Sequence, residues 1–332
     1  MGGSFVDLED GGYVVVRDFL PEDVLKAIRR DYSGQAPDPT VPYLKNASPD
    51  VAALAQPYVD AVLQQVRTET ALKVDLPAGV HYFATGKKTG MTFPWHQDHE
   101  SWFIFQNHYD YLNFYTPIIK PELTKSNLRI VPFDVLAAKA PSAYKLLVRG
   151  GASRVRSAGG RWFVMSDETG AVRMLPDSIE QYAVTPELAP GDLLLMRGDV
   201  VHRTQDTATE RVSFSVRISS EASILRRSRL AAGGVQKAAF MTRYAPIYEN
   251  LFRTFDAVGR DEVTLREFFE VGMAMEPVMN VDRKEFLKRL ANEKRRAHNL
   301  TRFALDAPRA VGLRSLNGVQ NRYLRYRSKQ AA

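Results

Sequence analysis

The spacing of hydrophobic residues changes twice along the chain and divides it into three regions. Near the N-terminus the pattern predicts a strand over Gly12–Phe19 and helices over Leu20–Asp31 and Ser48–Leu72, where apolar side chains recur every three or four residues. Short runs rich in β-branched and aromatic residues then predominate over Val80–Ser219. Helical spacing returns over Leu225–Arg327, so the chain is predicted to be helical at both ends and mainly β between them.

The central region alternates strand-like runs with polar turns. Arg161–Leu175 is typical of a hairpin, because two apolar runs flank the turn-rich segment Ser166–Gly170. The remaining strands are predicted over Val80–Thr85, Trp102–Gln106, Tyr111–Ile119, Leu128–Val131, Leu193–Met196 and Val212–Ile218. Many short strands with polar turns predict a jelly roll or a sandwich.

These patterns predict two parts of the chain. Residues 1–220 are expected to form the jelly-roll core with its N-terminal helices, and residues 221–332 a helical, basic C-terminal extension. The extension carries apolar stripes such as Ile247, Phe252 and Phe255, which need a partner surface because isolated helices of this length are marginal in water. We expect them to dock on the core or across a homodimer.

The charge of the chain is concentrated at one end. Of the formal net charge of +7, Val281–Ala332 carries +10, from 14 Lys and Arg against four Asp and Glu, which leaves −3 for the rest. Nucleic acid is disfavoured as a partner because no aromatic platform or recognised binding motif accompanies this charge. A solvated helix face is the simpler interpretation.

Composition narrows the chemistry. The chain has 332 residues and is 45% hydrophobic, which is enough for a sizeable core. It has no cysteine, so a metal must be held by His, Asp or Glu. Neither a secretory leader nor an apolar run of membrane-spanning length is evident, and we therefore expect a cytoplasmic protein without a membrane partner.

The pattern with most chemical content is His96-Gln97-Asp98, followed about a hundred residues later by His202. Two imidazoles and one carboxylate leave half of an octahedral Fe(II) open for a chelating acid and dioxygen. A His-x-Asp triplet alone arises readily by chance, but its context is specific. His96 and Asp98 follow a predicted strand and turn, and His202 ends a tight turn and a buried strand, where ligands at a barrel mouth belong.

Two arginines downstream of His202 are candidates to bind the carboxylate of such an acid. Arg211 begins Arg-Val-Ser nine positions later, and Arg217 lies fifteen positions later on the same strand face. We favour Arg211, with Ser213 beside it, because the loop from Arg203 to Glu210 is short; Arg217 is left to bind an anionic part of a substrate or to pair with an acid. Asn113 and Tyr115 share a face of a neighbouring strand and fit either co-substrate donors or ordinary barrel-lining residues.

Taken together, these motifs resemble those of the Fe(II)/2-oxoglutarate-dependent oxygenases, and most closely the phytanoyl-CoA dioxygenase-like branch. The resemblance covers about Gly11–Ser219 and rests on Gly12–Arg29, Trp95–Asp98, Asn127–Pro132 and Gly191–Ser213. The family's usual stretches around the central strand are replaced here by Ser126-Asn127-Leu128 and Pro132-Phe133-Asp134.

The resemblance implies a double-stranded β-helix in which His96, Asp98 and His202 bind Fe(II). It also implies 2-oxoglutarate as co-substrate, dioxygen as oxidant, and hydroxylation, desaturation or cyclisation of a small-molecule substrate, with specialised metabolism as the expected setting. An aspartate at position 98 argues against halogenation, since halogenases of the superfamily carry a small residue there. The alternative is a non-catalytic, metal-binding jelly-roll module that binds partners through its basic helical tail.

Overall fold

The computed structural model describes residues 4–38, 41, 43–86, 91–149 and 151–297, which fold as two compact units. The first unit contains the described chain up to Pro141 together with Glu180–Ser223, and the second contains Ser142–Ile179 together with the described chain from Ile224 onward. The expected division between residues 220 and 221 lies three residues before Ser223, after which the chain passes from the first unit to the second for the last time. The excursion of Ser142–Ile179 into the second unit has no counterpart in the sequence-based division.

The first unit begins with helices and continues mainly as strands. Its helices are α1 (Asp7–Asp10), α2 (Glu22–Gly34), α3 (Pro49–Glu69), α4 (His99–Phe103) and α5 (Phe133–Lys139). Its strands are β1 (Tyr13–Val16), β2 (Leu44–Asn46), β3 (Leu76–Thr85), β4 (Tyr111–Ile119), β5 (Leu128–Val131), β9 (Leu193–Arg197), β10 (Val201–Thr204) and β11 (Arg211–Ser219).

Six of these strands form one antiparallel sheet in the order β1-β9-β4-β11-β3-β2. Alternate residues of β4 and β11 point to opposite faces. One face packs on α2 and α3, whose apolar residues recur at helical spacing. The core between them includes Val24, Leu25, Ile28, Val59, Val62, Val66, Leu112, Phe114, Phe214 and Val216. The opposite face carries polar residues, yet every residue of β11 is buried, so that face must be covered as well.

A second, smaller sheet pairs β10 with β5. Two isolated bridges extend it, His96 with His202 and Ile130 with Val184. Eight segments take part in this arrangement, in chain order β3, the His96 segment, β4, β5, the Val184 segment, β9, β10 and β11. β3 pairs with β11, the His96 segment with β10, β4 with β9, and β5 with the Val184 segment. The first segment thus pairs with the last, and the pairing continues inward to the middle. That is a long antiparallel hairpin wound into a jelly roll, which confirms the predicted double-stranded β-helix.

The prediction of a strand over Trp102–Gln106 is wrong. His99–Phe103 forms the short helix α4, and Gln106 has a left-handed φ of 57°. A short aromatic run satisfies a buried strand and a buried helical turn equally well, and periodicity cannot separate them. Here Phe103 and Phe105 are buried from a helical turn and the segment that follows it.

The second unit combines a small sheet with helices. Its strands are β6 (Ser153–Ala158), β7 (Arg161–Ser166) and β8 (Val172–Leu175) in one sheet, and β12 (Ile224–Arg226) and β13 (Glu262–Thr264) in another. Its helices are α6 (Pro141–Arg149, with Pro141 in the first unit), α7 (Arg227–Ala231), α8 (Val235–Arg243), α9 (Ala245–Val258), α10 (Leu265–Met273) and α11 (Arg283–Arg296). The predicted hairpin over Arg161–Leu175 is present as β7 and β8. The expectation that strands end at Ser220 is wrong, because β12 and β13 pair by three residues each.

The helices of the second unit bury the aromatic part of the predicted stripes. Phe252 and Phe255 are buried, and Phe255 packs on Phe268 with ring centroids 4.9 Å apart. Ile247 and Met273, expected in the same stripes, are exposed instead. Docking on the core or across a homodimer stays a prediction, and the basic tail from residue 298 onward lies outside the described residues. Among the described helices, none is long and apolar enough to cross a bilayer.

Candidate metal centre

The two candidate histidine ligands are held by paired backbone. His96 N–H donates to the His202 carbonyl at 3.0 Å, and His202 N–H donates to the His96 carbonyl at 2.9 Å. The side chains therefore leave the sheet as direct cross-strand neighbours. Their ring centroids are 4.4 Å apart.

Each imidazole is oriented by a carbonyl close to it in sequence. Nδ1 of His96 lies 2.7 Å from the Pro94 carbonyl, and Nδ1 of His202 lies 3.0 Å from the Val200 carbonyl. A carbonyl can only accept, so both Nδ1 atoms carry the proton and both Nε2 atoms keep a free lone pair. This is the second contact that metal-binding histidines ordinarily make.

Asp98 completes the cluster. The ligand atoms of His96, Asp98 and His202 all lie within 4.8 Å of one another, and Asp98 Oδ1 is 3.7 Å from His202 Nε2. The other oxygen, Oδ2, accepts from Asn113 Nδ2 at 3.4 Å, and Asn113 accepts in turn from the Ser215 hydroxyl at 2.8 Å. The predicted site residue Asn113 thus contacts a candidate metal ligand.

The electrostatics favour the ligating protonation states. Burial, reinforced by the neighbouring His202, lowers the pKa of His96 well below its ordinary value and keeps the imidazole neutral. Burial works against ionisation of Asp98, but Arg217 and the nearby imidazoles hold its pKa below the usual range. A neutral His96 and an ionised Asp98 are the forms in which these two groups bind metals.

Arg211 is the first residue of β11, six residues before Arg217 on the same strand face. Its Nη1 donates to the carbonyls of Ser126 and Asn127 at 2.6 and 3.1 Å, and its guanidinium stacks over Tyr115 at 5.5 Å. Ser213, two residues along, is buried on that face. The structure thus brings Arg211, Ser213 and Tyr115 together.

Arg217 lies at the other end of that face, beside the cluster. It pairs in register with Asn113, and its Nε is 3.7 Å from Glu100 Oε2. Six residues separate it from Arg211, which corresponds to about 20 Å along an extended strand. The two arginines that sequence leaves as alternatives are therefore at opposite ends of one polar face.

Comparisons with known proteins give weak likenesses. No protein-family model matches the chain, and no protein of curated function matches it in sequence. Its structure is similar to the 2-oxoglutarate-dependent epimerase SnoN of nogalamycin biosynthesis, with 13% identity, a TM-score of 0.44 and coverage of 66% of this chain and 82% of that one. For the carbocyclase SnoK of the same pathway the identity is 11%, the TM-score 0.44 and the coverage 66% and 83%.

A third similar structure is EctD from S. alaskensis with 2-oxoglutarate and 5-hydroxyectoine, with 15% identity, a TM-score of 0.44 and coverage of 66% and 76%. At such identities and TM-scores these likenesses assign neither an activity nor a substrate to this chain.

Two acids near the site are absent from the sequence-based candidates. Glu100 follows Asp98 by two positions and faces Arg217, and its proximity to the motif was the signal that could have identified it. Glu180 accepts from Trp95 Nε1 at 2.9 Å and pairs with Arg129 and Arg203, so it fixes the residue that precedes His96. No local pattern links Glu180 to Trp95, which is 85 positions away.

Proposed function

We propose that the protein is an Fe(II)- and 2-oxoglutarate-dependent oxygenase that hydroxylates a small-molecule substrate. The observation that carries the proposal is the cluster of two free Nε2 atoms and one carboxylate at the mouth of a jelly roll. The sequence resemblance points the same way.

The donor set fits Fe(II). Two imidazoles and a carboxylate on one side of an ion leave three positions open, which is typical of non-haem iron oxygenases. With neutral His96 and ionised Asp98 no proton has to be displaced from those two groups before the ion binds. Bound Fe(II) would supply activation of dioxygen at the open positions.

The polar face of β11 fits 2-oxoglutarate. This co-substrate has a keto acid at one end and a second carboxylate at the other, so its two ends need different partners. Arg211, six residues from Arg217 on this face, offers a permanently charged guanidinium to the far carboxylate. Ser213 and Tyr115 lie beside Arg211 and are placed to orient that carboxylate.

The carboxylate of Asp98 favours hydroxylation, desaturation or cyclisation over halogenation. Asp98 would occupy the coordination position that a halide needs, and Asn113 donates to its second oxygen. Phe83 lies under the Arg217 guanidinium and Tyr111 is buried, and rings at these positions would limit the access of water to the reacting carbon.

The proposal is tested by loading the full-length protein with Fe(II) without oxygen and adding 2-oxoglutarate. Chelation by the keto acid is expected to give a visible charge-transfer band, and admission of air should convert 2-oxoglutarate to succinate. An Asp98→Ala variant is the matched control and should do neither. Metal binding without the band or succinate would instead favour the non-catalytic binding module.

A further inference from the structure

Arg217 is a buried cation with two nitrogens that make no hydrogen bond to the described residues. It is 7% exposed, and its Nε and Nη1 atoms are buried without a hydrogen-bond partner among the described residues. Glu100 lies 3.7 Å from Nε, which balances the charge but is too long for a hydrogen bond. A buried charged donor left unpaired costs more than the net gain from an ordinary hydrogen bond.

Arg197 and Arg227, two other buried arginines of the described chain, use more of their donors. Arg197 donates from all three nitrogens, to both oxygens of Asp199 and to the carbonyls of Leu8 and Glu9. Arg227 donates from Nε and Nη2 to Glu293. Arg217 therefore differs from these structural arginines in having open donors, although all are similarly buried.

The position of Arg217 is fixed against the candidate metal centre. It lies opposite Asn113, which contacts Asp98, and its guanidinium stacks over the Phe83 ring at 5.5 Å. The aromatic ring holds the planar group in one orientation. A ligand that accepted hydrogen bonds from the Arg217 guanidinium would therefore lie beside the candidate metal ligands.

We propose that Arg217 binds a carboxylate of the prime substrate, so that the substrate is a small organic acid. This inference rests on the proposed function. A guanidinium suits a carboxylate because the donors are planar and permanently charged. Arg217 faces Asn113, which contacts Asp98, whereas Arg211 lies six residues away at the other end of β11 and is assigned above to the far carboxylate of 2-oxoglutarate.

The first arm of the test separates the two sources of a carboxylate. Full-length protein loaded anaerobically with Fe(II) is titrated with 2-oxoglutarate, and the visible band gives the dissociation constant. Arg217→Gln should leave this constant within about threefold of wild type, whereas Arg211→Gln should raise it about tenfold or more. If Arg217→Gln alone weakens 2-oxoglutarate, the carboxylate belongs to the co-substrate and the proposal is overturned.

The second arm measures recognition of an acid directly. Hexanoate, benzoate and phenylacetate are each compared with the corresponding amide by the shift in melting temperature of the protein, with and without Fe(II) and 2-oxoglutarate. We expect at least one acid to bind about tenfold more tightly than its amide, and this preference to be lost in Arg217→Gln. Arg217→Lys, which keeps the charge, should retain part of it.

Arg17→Gln is the matched control, since Arg17 is half exposed and pairs with Asp192 away from the cluster. It should bind acids as wild type does. Equal binding of every acid and its amide, or an undiminished preference in a folded Arg217→Gln, would contradict the proposal. If the visible band fails to form in wild type, the proposed function is wrong, and the acid preference without added metal still decides the role of Arg217.

Discussion

His96 and His202 face each other across two antiparallel segments and exchange both backbone hydrogen bonds. The spacing between the candidate ligands is therefore a property of the backbone and does not depend on a bound ion. Each imidazole is also tied through Nδ1 to a carbonyl two residues before it. Such a preorganised pair would bind a metal without a large ordering cost.

Asn113→Ala should lower the affinity for Fe(II) by about tenfold, because contacts that orient a ligating carboxylate typically contribute 10- to 100-fold. The contact between Asn113 Nδ2 and Asp98 Oδ2 is long, at 3.4 Å, so we expect a loss of affinity at the lower end of this range. Anaerobic titration with Fe(II) measures it. Asn250→Ala, in the second unit, removes a matched amide and should leave the affinity unchanged; an equal loss in both variants would argue against the role of Asn113.

Arg211→Gln should weaken 2-oxoglutarate about tenfold or more while Fe(II) affinity stays near wild type, since a charge-assisted contact is about twice as strong as a neutral one. The 2-oxoglutarate affinity of Arg211→Lys should lie between those of wild type and Arg211→Gln, because lysine keeps the charge but lacks the planar guanidinium. Melting curves control for the loss of the bonds to Ser126 and Asn127. Unchanged 2-oxoglutarate affinity in a folded Arg211→Gln would remove Arg211 from the co-substrate site.

The pair Arg227–Glu293 should be important for the stability of the second unit. Both side chains are buried, and Arg227 donates from Nε at 2.8 Å. Glu293→Gln removes the buried carboxylate and leaves Arg227 only the half-exposed Asp256, 2.8 Å from Nη2. It should therefore lower the free energy of unfolding by about 2 kcal/mol in urea denaturation.

The exposed pair Arg260–Glu267 offers a matched control, and Glu267→Gln should cost less than about 1 kcal/mol. The double change Arg227→Met with Glu293→Leu should recover much of the loss, because it removes both buried charges. A loss as small as that of Glu267→Gln would show that Arg227–Glu293 is not an effective buried pair.

Lys294 should make the free energy of unfolding of the second unit depend on pH in the alkaline range. Burial lowers the pKa of this lysine to about 8, against 10.5 for an ordinary lysine, although its Nζ donates to the carbonyls of Ala231 and Gly233. Between these two values the unfolded chain holds a proton that the folded chain has released, so the free energy of unfolding rises with pH. The rise between pH 8 and pH 9.5 should be about 1–2 kcal/mol.

Urea denaturation of wild type and Lys294→Met at both pH values isolates this contribution. The methionine variant should lack the rise, whereas Lys288→Met, which changes an exposed lysine, should retain it. An identical pH dependence in wild type and Lys294→Met would show that Lys294 has an ordinary pKa in the folded protein.

The sequence predicts strands well where the signal is local. Tyr111–Ile119 and Leu128–Val131 have the predicted bounds, because each is a β-branched or aromatic run between turn residues. His96, Asp98 and His202 come from motif spacing, and the cross-strand pairing then brings them together. Trp102–Gln106 has a similar aromatic composition but forms a helical turn, since tertiary packing decides such short runs.

Features that depend on strand register or on distant packing could not be predicted. Alternation along β11 puts Arg211 and Arg217 on one face but does not say which of them lies near Asp98. The pairing of Arg217 with Asn113 on β4 decides it. The contact between Glu180 and Trp95 joins segments 85 positions apart. The hairpin over Arg161–Leu175 is visible in the sequence, yet its membership of the second unit depends on contacts such as Lys237 with Glu168.

The central claim is that His96, Asp98 and His202 form one Fe(II) site. Anaerobic titration of the full-length protein with Fe(II), with metal content measured after removal of free ion, tests it most directly when His202→Ala is carried alongside wild type. We predict one tightly held iron per chain in wild type and its loss in a variant that remains folded, because each residue is one of three protein ligands. Retention of iron with wild-type affinity in His202→Ala would contradict the account.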